Sequence, residues 1–110
     1  MLHLYLFYTI CGAAANIDVT VTHKIRVLDS WVVAKGAGGV GDQVRIYNTA
    51  APITNAMDLN VADTTLVRAG QIVDDAQEIA AGGILRVATV DGGGADLPAF
   101  EVYVSAIRVA

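Results

Sequence analysis

The chain has 110 residues, a length that fits one domain with one hydrophobic core. The hydrophobic fraction is 55% and the charged fraction is 16%, against roughly 25% for an average soluble domain, which predicts a surface with much neutral area. The net charge is −4 and the 7 basic residues are scattered, so the clustered basic patch that a nucleic-acid binder needs is missing.

Short segments rich in Val, Ile, Thr and Tyr alternate with Gly, Asn and Asp clusters, which is typical of a β-sandwich or barrel. The predicted strands are Leu2–Ile10, Ile17–Thr22, Lys24–Lys35, Asp42–Asn48, Pro52–Leu59, Ile84–Val90 and Pro98–Val109. Residues 60–68 and 71–81 could each hold a helical turn, the first capped by Asp63, or together a bulged strand pair. We therefore predict an all-β, antiparallel, jelly-roll-like sandwich of eight or nine strands, with residues 1–110 forming a single domain.

Alternation of apolar and polar residues predicts which side chains face the core. The predicted inward sets are Ile17, Val19 and Val21 in the second strand, Val44 and Ile46 in the fourth, and Phe100, Val102, Val104 and Ala106 in the last. The third strand is apolar on both parities, so we expect it to be covered on both sides or bent midway. Trp31 at its centre is predicted to anchor the core, and an exposed indole that stacks on a sugar ring is the alternative.

The N-terminal segment Met1–Ala15 has the apolar stretch and alanine-rich end of a signal peptide, but no Lys or Arg precedes the apolar stretch. The run is also shorter than the ~20 residues that span a bilayer. We interpret it as the first strand, without membrane contact. Its residues are apolar on both parities, and such an edge strand aggregates unless something covers it. The candidate interface residues are Leu2, Leu4, Tyr5, Leu6 and Phe7, and burial within the chain's own sandwich is the alternative.

No residue spacing predicts an active site. Cys11 is the single cysteine, so no intrachain disulfide forms, and His3 and His23 match none of the usual zinc patterns. Ser30 and Ser105 lie in predicted strands and outside any nucleophile-elbow motif. We expect no enzymatic activity, no cofactor and no bound metal.

The glycine-rich and acidic segments are interpreted as turns. Residues 36–41 follow a strand, but a phosphate-binding loop would lead into a helix, so we predict a hairpin loop. Two acidic groups offer oxygen atoms that calcium accepts, yet neither has EF-hand spacing, and solvated turns are the simpler interpretation. These groups are Asp74, Asp75 and Glu78, and Asp91 with Asp96.

Three segments, 25–33 (IRVLDSWVV), 41–48 (GDQVRIYN) and 79–87 (IAAGGILRV), resemble small virion proteins of tailed bacteriophages, namely capsid decoration or cement proteins of jelly-roll type. The resemblance extends over residues 17–109 and implies a non-enzymatic protein on the capsid surface of the virion, made in the host cytoplasm. The implied partners are the major capsid protein and neighbouring copies of the chain, in a homotrimer that stabilises the head. Alternatives are a tail, baseplate or fibre-base subunit, and a carbohydrate-binding β-sandwich that uses Trp31 and Tyr47.

Overall fold

A computed structural model describes residues 2–9, 16–90, 92 and 99–109, and for residues 2–9 it describes the main chain. None of the described residues is helical, and they form ten strands. The strands are β1 (Leu2–Thr9), β2 (Asn16–Thr20), β3 (Ile25–Ala34), β4 (Gln43–Asn48), β5 (Ala51–Pro52), β6 (Met57–Asp58), β7 (Leu66–Arg68), β8 (Glu78–Ile79), β9 (Ile84–Val90) and β10 (Phe100–Arg108).

The strands form two antiparallel sheets whose order is that of a jelly roll. Sheet 1 has the order β1-β10-β3-β7, with β8 also paired to β3, and sheet 2 has the order β2-β9-β4-β5, with β6 also paired to β4. Because β7 and β8 pair with different parts of β3, and β5 and β6 with different parts of β4, the ten strands fill eight positions. The chain alternates between the sheets except at the β4–β5, β5–β6 and β7–β8 connections, which is the jelly-roll path. The predicted fold class is confirmed.

The inner faces of the two sheets form one core, and the alternation predicted for three strands is confirmed. On β10 the alternate residues from Phe100 to Ala106 are at most 1% exposed, and Val44 and Ile46 on β4 are fully buried. Ile17 and Val19 on β2 pack against this core from a partly exposed strand. Strict alternation is reliable here because each of these strands has one face on the core and one face towards solvent.

A β-bulge in β3 explains why that strand is apolar on both parities. Ser105 of β10 pairs with Asp29 of β3 and Ala106 pairs with Val27, so Leu28 has no partner and is 44% exposed. The extra residue reverses the parity, as a bulge does. The buried residues are Ile25 and Val27 before the bulge, and Ser30, Val32 and Ala34 after it. Trp31 consequently faces outward, and the prediction that it anchors the core is wrong.

The stretch from residue 51 to residue 79 is more irregular than predicted. The single strand expected over Pro52–Leu59 is two short strands, because the Thr54 hydroxyl accepts a hydrogen bond from the Ile46 N–H at 3.2 Å. A side chain there replaces a main-chain partner and interrupts the ladder. Residues 60–68 and 71–81 contain β7 and β8 and no helical turn, but each of these strands pairs with β3, so the predicted pairing of the two segments with each other is wrong.

Close packing of loops fixes one end of the sandwich. The glycine-rich segment 36–41 joins β3 in sheet 1 to β4 in sheet 2, so it connects the sheets and the predicted hairpin is wrong. The buried Asp42 carboxylate accepts hydrogen bonds from the N–H groups of Gly39 and Gly92, both at 2.8 Å. At Gly38 an added Cβ would lie 2.0 Å from the Leu59 carbonyl oxygen. Glycine at this position is therefore required by packing against a neighbouring segment.

The substitution Gly38→Ala is expected to destabilise the protein by about 1–3 kcal/mol, because the backbone around residue 59 must move to admit the methyl group. Gly70→Ala is the matched control, since the nearest atoms to its added Cβ are at 3.6 Å in the Asn55 side chain. Urea unfolding followed by tryptophan fluorescence measures both variants. Equal midpoints for the two variants would contradict this account of the loop.

Candidate functional site

The outer face of sheet 1 carries an aromatic and aliphatic cluster. Tyr103 of β10 and Arg68 of β7 are the register partners of Trp31 on its two sides. The rings of Trp31 and Tyr103 are stacked, with centroids 5.5 Å apart and planes inclined by 10°. Leu66, which pairs with Val33 in the next row, is 57% exposed. We call Trp31, Tyr103, Leu66, Arg68 and Asp29 the Trp31 platform.

An open depression of about 310 Å³ lies beside Trp31 and is lined by Trp31, Leu66 and Arg68. At its rim Arg68 donates two hydrogen bonds to Asp29 Oδ2, one of them from Nε at 2.8 Å. This hydrogen-bonded ion pair raises the pKa of Arg68. Asp29 Oδ1 also accepts a hydrogen bond from the Ser30 N–H at 2.8 Å. The rim is therefore held in place and is locally neutral.

A second polar group lies on the same face, at the start of β10. The Tyr103 hydroxyl donates to Glu101 Oε2 at 2.6 Å, and Lys35 Nζ lies 3.2 Å from Glu101 Oε1. The Tyr103 hydrogen bond and then Lys35 lower the pKa of Glu101, and the same hydrogen bond raises the pKa of Tyr103. Tyr103 thus has its ring held by Trp31 and its hydroxyl held by Glu101.

Cross-strand ion pairs neutralise much of the remaining charge. Arg86 on β9 donates from Nε to Asp18 on β2 at 2.7 Å, and Arg26 on β3 donates to Glu78 on β8 at 2.9 Å. These hydrogen bonds lower the pKa values of Asp18 and Glu78. Five of the 7 basic residues form ion pairs with carboxylates of the same chain, namely Lys24, Arg26, Lys35, Arg68 and Arg86. The surface therefore carries even less unpaired charge than the low charged fraction of the sequence implies.

The strand β1 lies at one end of the order of sheet 1. Its main chain pairs with β10 from Leu2 opposite Ile107 to Thr9 opposite Phe100, and no other described strand pairs with it. The side chains of the predicted interface residues lie outside the described part of the structure. The role of these residues in an interface stays a prediction. They are Leu2, Leu4, Tyr5, Leu6 and Phe7.

Trp31 and Tyr47, the two residues considered for a sugar site, are on different sheets. Tyr47 belongs to β4, on the outer side of sheet 2, next to a depression of about 300 Å³ that Asn16 and Arg86 also line. The two aromatic rings therefore cannot act in one site. Sequence reasoning missed Tyr103, Leu66, Arg68 and Asp29 as neighbours of Trp31. The alternation of β10 already placed Tyr103 outward, but the bulge that turns Trp31 to the same face leaves no clear sequence signal.

The candidate chemical groups do not converge in the described residues. Asp74 and Asp75 are exposed in a turn, while Glu78 is bound by Arg26. The described residues include no group of three or more His, Cys, Asp or Glu side chains that could hold a metal ion. They also include no helix with the length and apolar content to cross a membrane. Cys11, Asp91 and Asp96 lie outside the described residues.

Comparisons with known proteins found structural likeness alone. No protein-family model and no curated protein matches the chain. Among solved structures, the chain is similar to a chain in the structure of infectious bursal disease virus Gt strain, with 14% sequence identity and a TM-score of 0.41. It is also similar to a chain in the structure of the Gx strain, with 16% identity and a TM-score of 0.40. Each match covers 98% of this chain and 32% of the viral chain, so this chain spans about a third of their length.

Replacement of Tyr103 by Phe is expected to raise the pKa of Glu101 towards its ordinary value of 4.5, because the hydroxyl donor is removed while the ring stays. The folded pKa of Glu101 lies below the unfolded one, so its contribution to stability is present above the unfolded pKa. That contribution is lost as the pH falls through the lower folded pKa. In Tyr103→Phe the acid-side loss of stability should therefore be shallower.

Carboxyl carbon shifts followed by NMR across an acid titration measure this pKa directly. Tyr47→Phe is the control, because Tyr47 lies on the other sheet. An unchanged Glu101 titration in Tyr103→Phe would show that the Tyr103 hydroxyl does not control this carboxylate.

Proposed function

We propose that this protein is a non-enzymatic virion structural protein, a capsid decoration or cement protein that binds the outside of the major capsid lattice and stabilises the head. The observation that carries the proposal is β1, an edge strand of 8 residues whose sequence is almost wholly apolar. An edge strand presents a row of main-chain N–H and C=O groups that can pair with another chain. A neighbouring subunit or the capsid shell is the cover that this edge requires.

The distribution of charge supports a function based on protein contact. Most of the basic side chains in the described residues are already bound to acidic side chains of the same chain, as the ion pairs of Arg26, Arg68 and Arg86 illustrate. Exposed pairs of this kind contribute little to stability, since solvent screens them. They do leave a surface of low local charge, which can approach another protein without a large electrostatic penalty.

The fold and the sequence resemblance support the more specific part of the proposal. Jelly rolls occur in viral capsid domains and in lectin domains, so the fold allows this role without defining it. The resemblance of segments 25–33, 41–48 and 79–87 to decoration proteins of tailed bacteriophages favours the capsid surface over the tail, baseplate or fibre base. A homotrimer on a symmetric lattice would repeat many weak contacts, and such repetition gives strong binding without any single strong site.

The purified protein is expected to be a trimer in solution by light scattering on a sizing column. The double substitution Leu4→Lys and Leu6→Lys should convert it to a folded monomer, because charge on the edge strand opposes association. Val40→Lys is the control, since Val40 is 79% exposed in the loop between β3 and β4 and is not one of the predicted interface residues. A trimer that survives the double substitution would contradict an interface at β1.

Deletion of residues 1–8 tests the same surface on the capsid. We expect the truncated protein to stop binding expanded, undecorated heads in a sedimentation assay, because the edge strand has been removed. The Leu4→Lys, Leu6→Lys variant distinguishes loss of the interface from loss of folding, since it keeps the full chain length. A folded truncated domain that still coats the heads would rule out β1 as the contact surface.

A further inference from the structure

We propose that the Trp31 platform is a binding site for one or two rings of a neutral saccharide. The depression of the platform is separated by β10 from the edge strand β1 on which the proposed function rests, although the platform residue Tyr103 is the register partner of Leu6 in β1. It lies at the opposite end of sheet 1, where β3 meets β7. The protein would therefore carry a ligand site in addition to its assembly surface.

The indole of Trp31 has one face occupied and one face available. The Tyr103 ring is stacked on it from the β10 side at a centroid distance of 5.5 Å. The depression of about 310 Å³ lies on the β7 side, between Trp31 and the side chains of Leu66 and Arg68. Because the Tyr103 stack fixes the indole, the ring is oriented before any ligand arrives, which reduces the entropy cost of binding. A ligand with a flat, apolar ring face can stack on the free face of the indole.

The rim of the depression is suited to hydroxyl groups. An arginine has five N–H donors, and Asp29 takes bonds from Nε and Nη2 of Arg68, so further donors of the guanidinium remain for a ligand. Asp29 adds carboxylate oxygens that accept hydrogen bonds. A sugar hydroxyl both donates and accepts, and neighbouring hydroxyls on a pyranose ring can use both groups.

Charge and size decide between ligand classes. Asp29 neutralises Arg68, so the rim has no net charge with which to select an anion or a cation. The volume is at the lower end of the range for small-molecule sites, which fits one or two sugar rings. A proline-rich peptide would need a groove lined by several aromatic rings, whereas this depression is lined by one. A neutral saccharide satisfies all three conditions.

Trp31 is the only tryptophan in the chain, so its emission reports directly on this site. The full-length protein would be screened on an array of neutral oligosaccharides and titrated with cellobiose, maltose, lactose and N,N′-diacetylchitobiose. We expect a saturable blue shift of the emission with at least one of these neutral sugars, because a stacked ring displaces water from the indole.

Variants assign the binding to the platform. Trp31→Ala is expected to weaken binding about tenfold in calorimetry, since it removes the apolar face that the sugar covers. Trp31→Phe should retain part of the affinity, and Arg68→Gln should weaken binding several-fold. Tyr47→Ala on sheet 2 is the matched control and should bind as the wild type does.

Three results would overturn the site. One is a folded protein that binds none of the neutral sugars tested. Another is unchanged affinity in Trp31→Ala. The third is a blue shift of the Trp31 emission when the protein is concentrated without sugar. This result would show that the indole contacts another copy of the protein. Light scattering and head sedimentation of Trp31→Ala separate this proposal from the proposed function, because both should match the wild type when the platform is a sugar site alone.

Discussion

The ladder between β3 and β10 is the contact on which the rest of the structure depends. These two strands are the longest in the described chain and form the middle of sheet 1, with β1 on one side and β7 and β8 on the other. Their inward residues are among the most deeply buried in the core. The bulge at Leu28 lies within this ladder, so a single unpaired residue determines what sheet 1 shows to solvent. Without it, Trp31 would point into the core and Ser30 would point outward.

Two surfaces follow from this arrangement, and Tyr103, the register partner of both Leu6 and Trp31, lies between them. The β1 side ends in an apolar edge that can pair with another chain, and the β7 side carries the indole with its neutral, hydrogen-bonded rim. The Ser30 hydroxyl, buried by the bulge, donates to the Tyr103 carbonyl at 2.8 Å, so the parity change leaves this buried hydroxyl with a hydrogen-bond partner. The same rearrangement therefore stabilises the inner face and exposes Trp31 on the outer face.

Much of the fold could be predicted from the sequence. Strict alternation of apolar and polar residues, as from Phe100 to Ala106 and from Val44 to Ile46, is satisfied by a strand with one face on the core and one face in solvent. The Trp31 platform could not be predicted. It depends on which residue of β3 is unpaired, and that is determined by the register against β10, a contact between residues more than 70 positions apart. Thr54 gives a similar lesson, since a side-chain hydrogen bond to Ile46 interrupts a strand that the local sequence favours. Local pattern predicts elements, whereas tertiary pairing decides their irregularities.

The central claim is that this jelly roll acts by binding a capsid lattice. The most direct measurement mixes the purified protein with expanded phage heads, prepared without decoration, and follows co-sedimentation. The account predicts saturable binding at a fixed number of copies per head, together with greater resistance of the decorated heads to heat. A folded protein that stays in the supernatant at saturating concentration would contradict the claim.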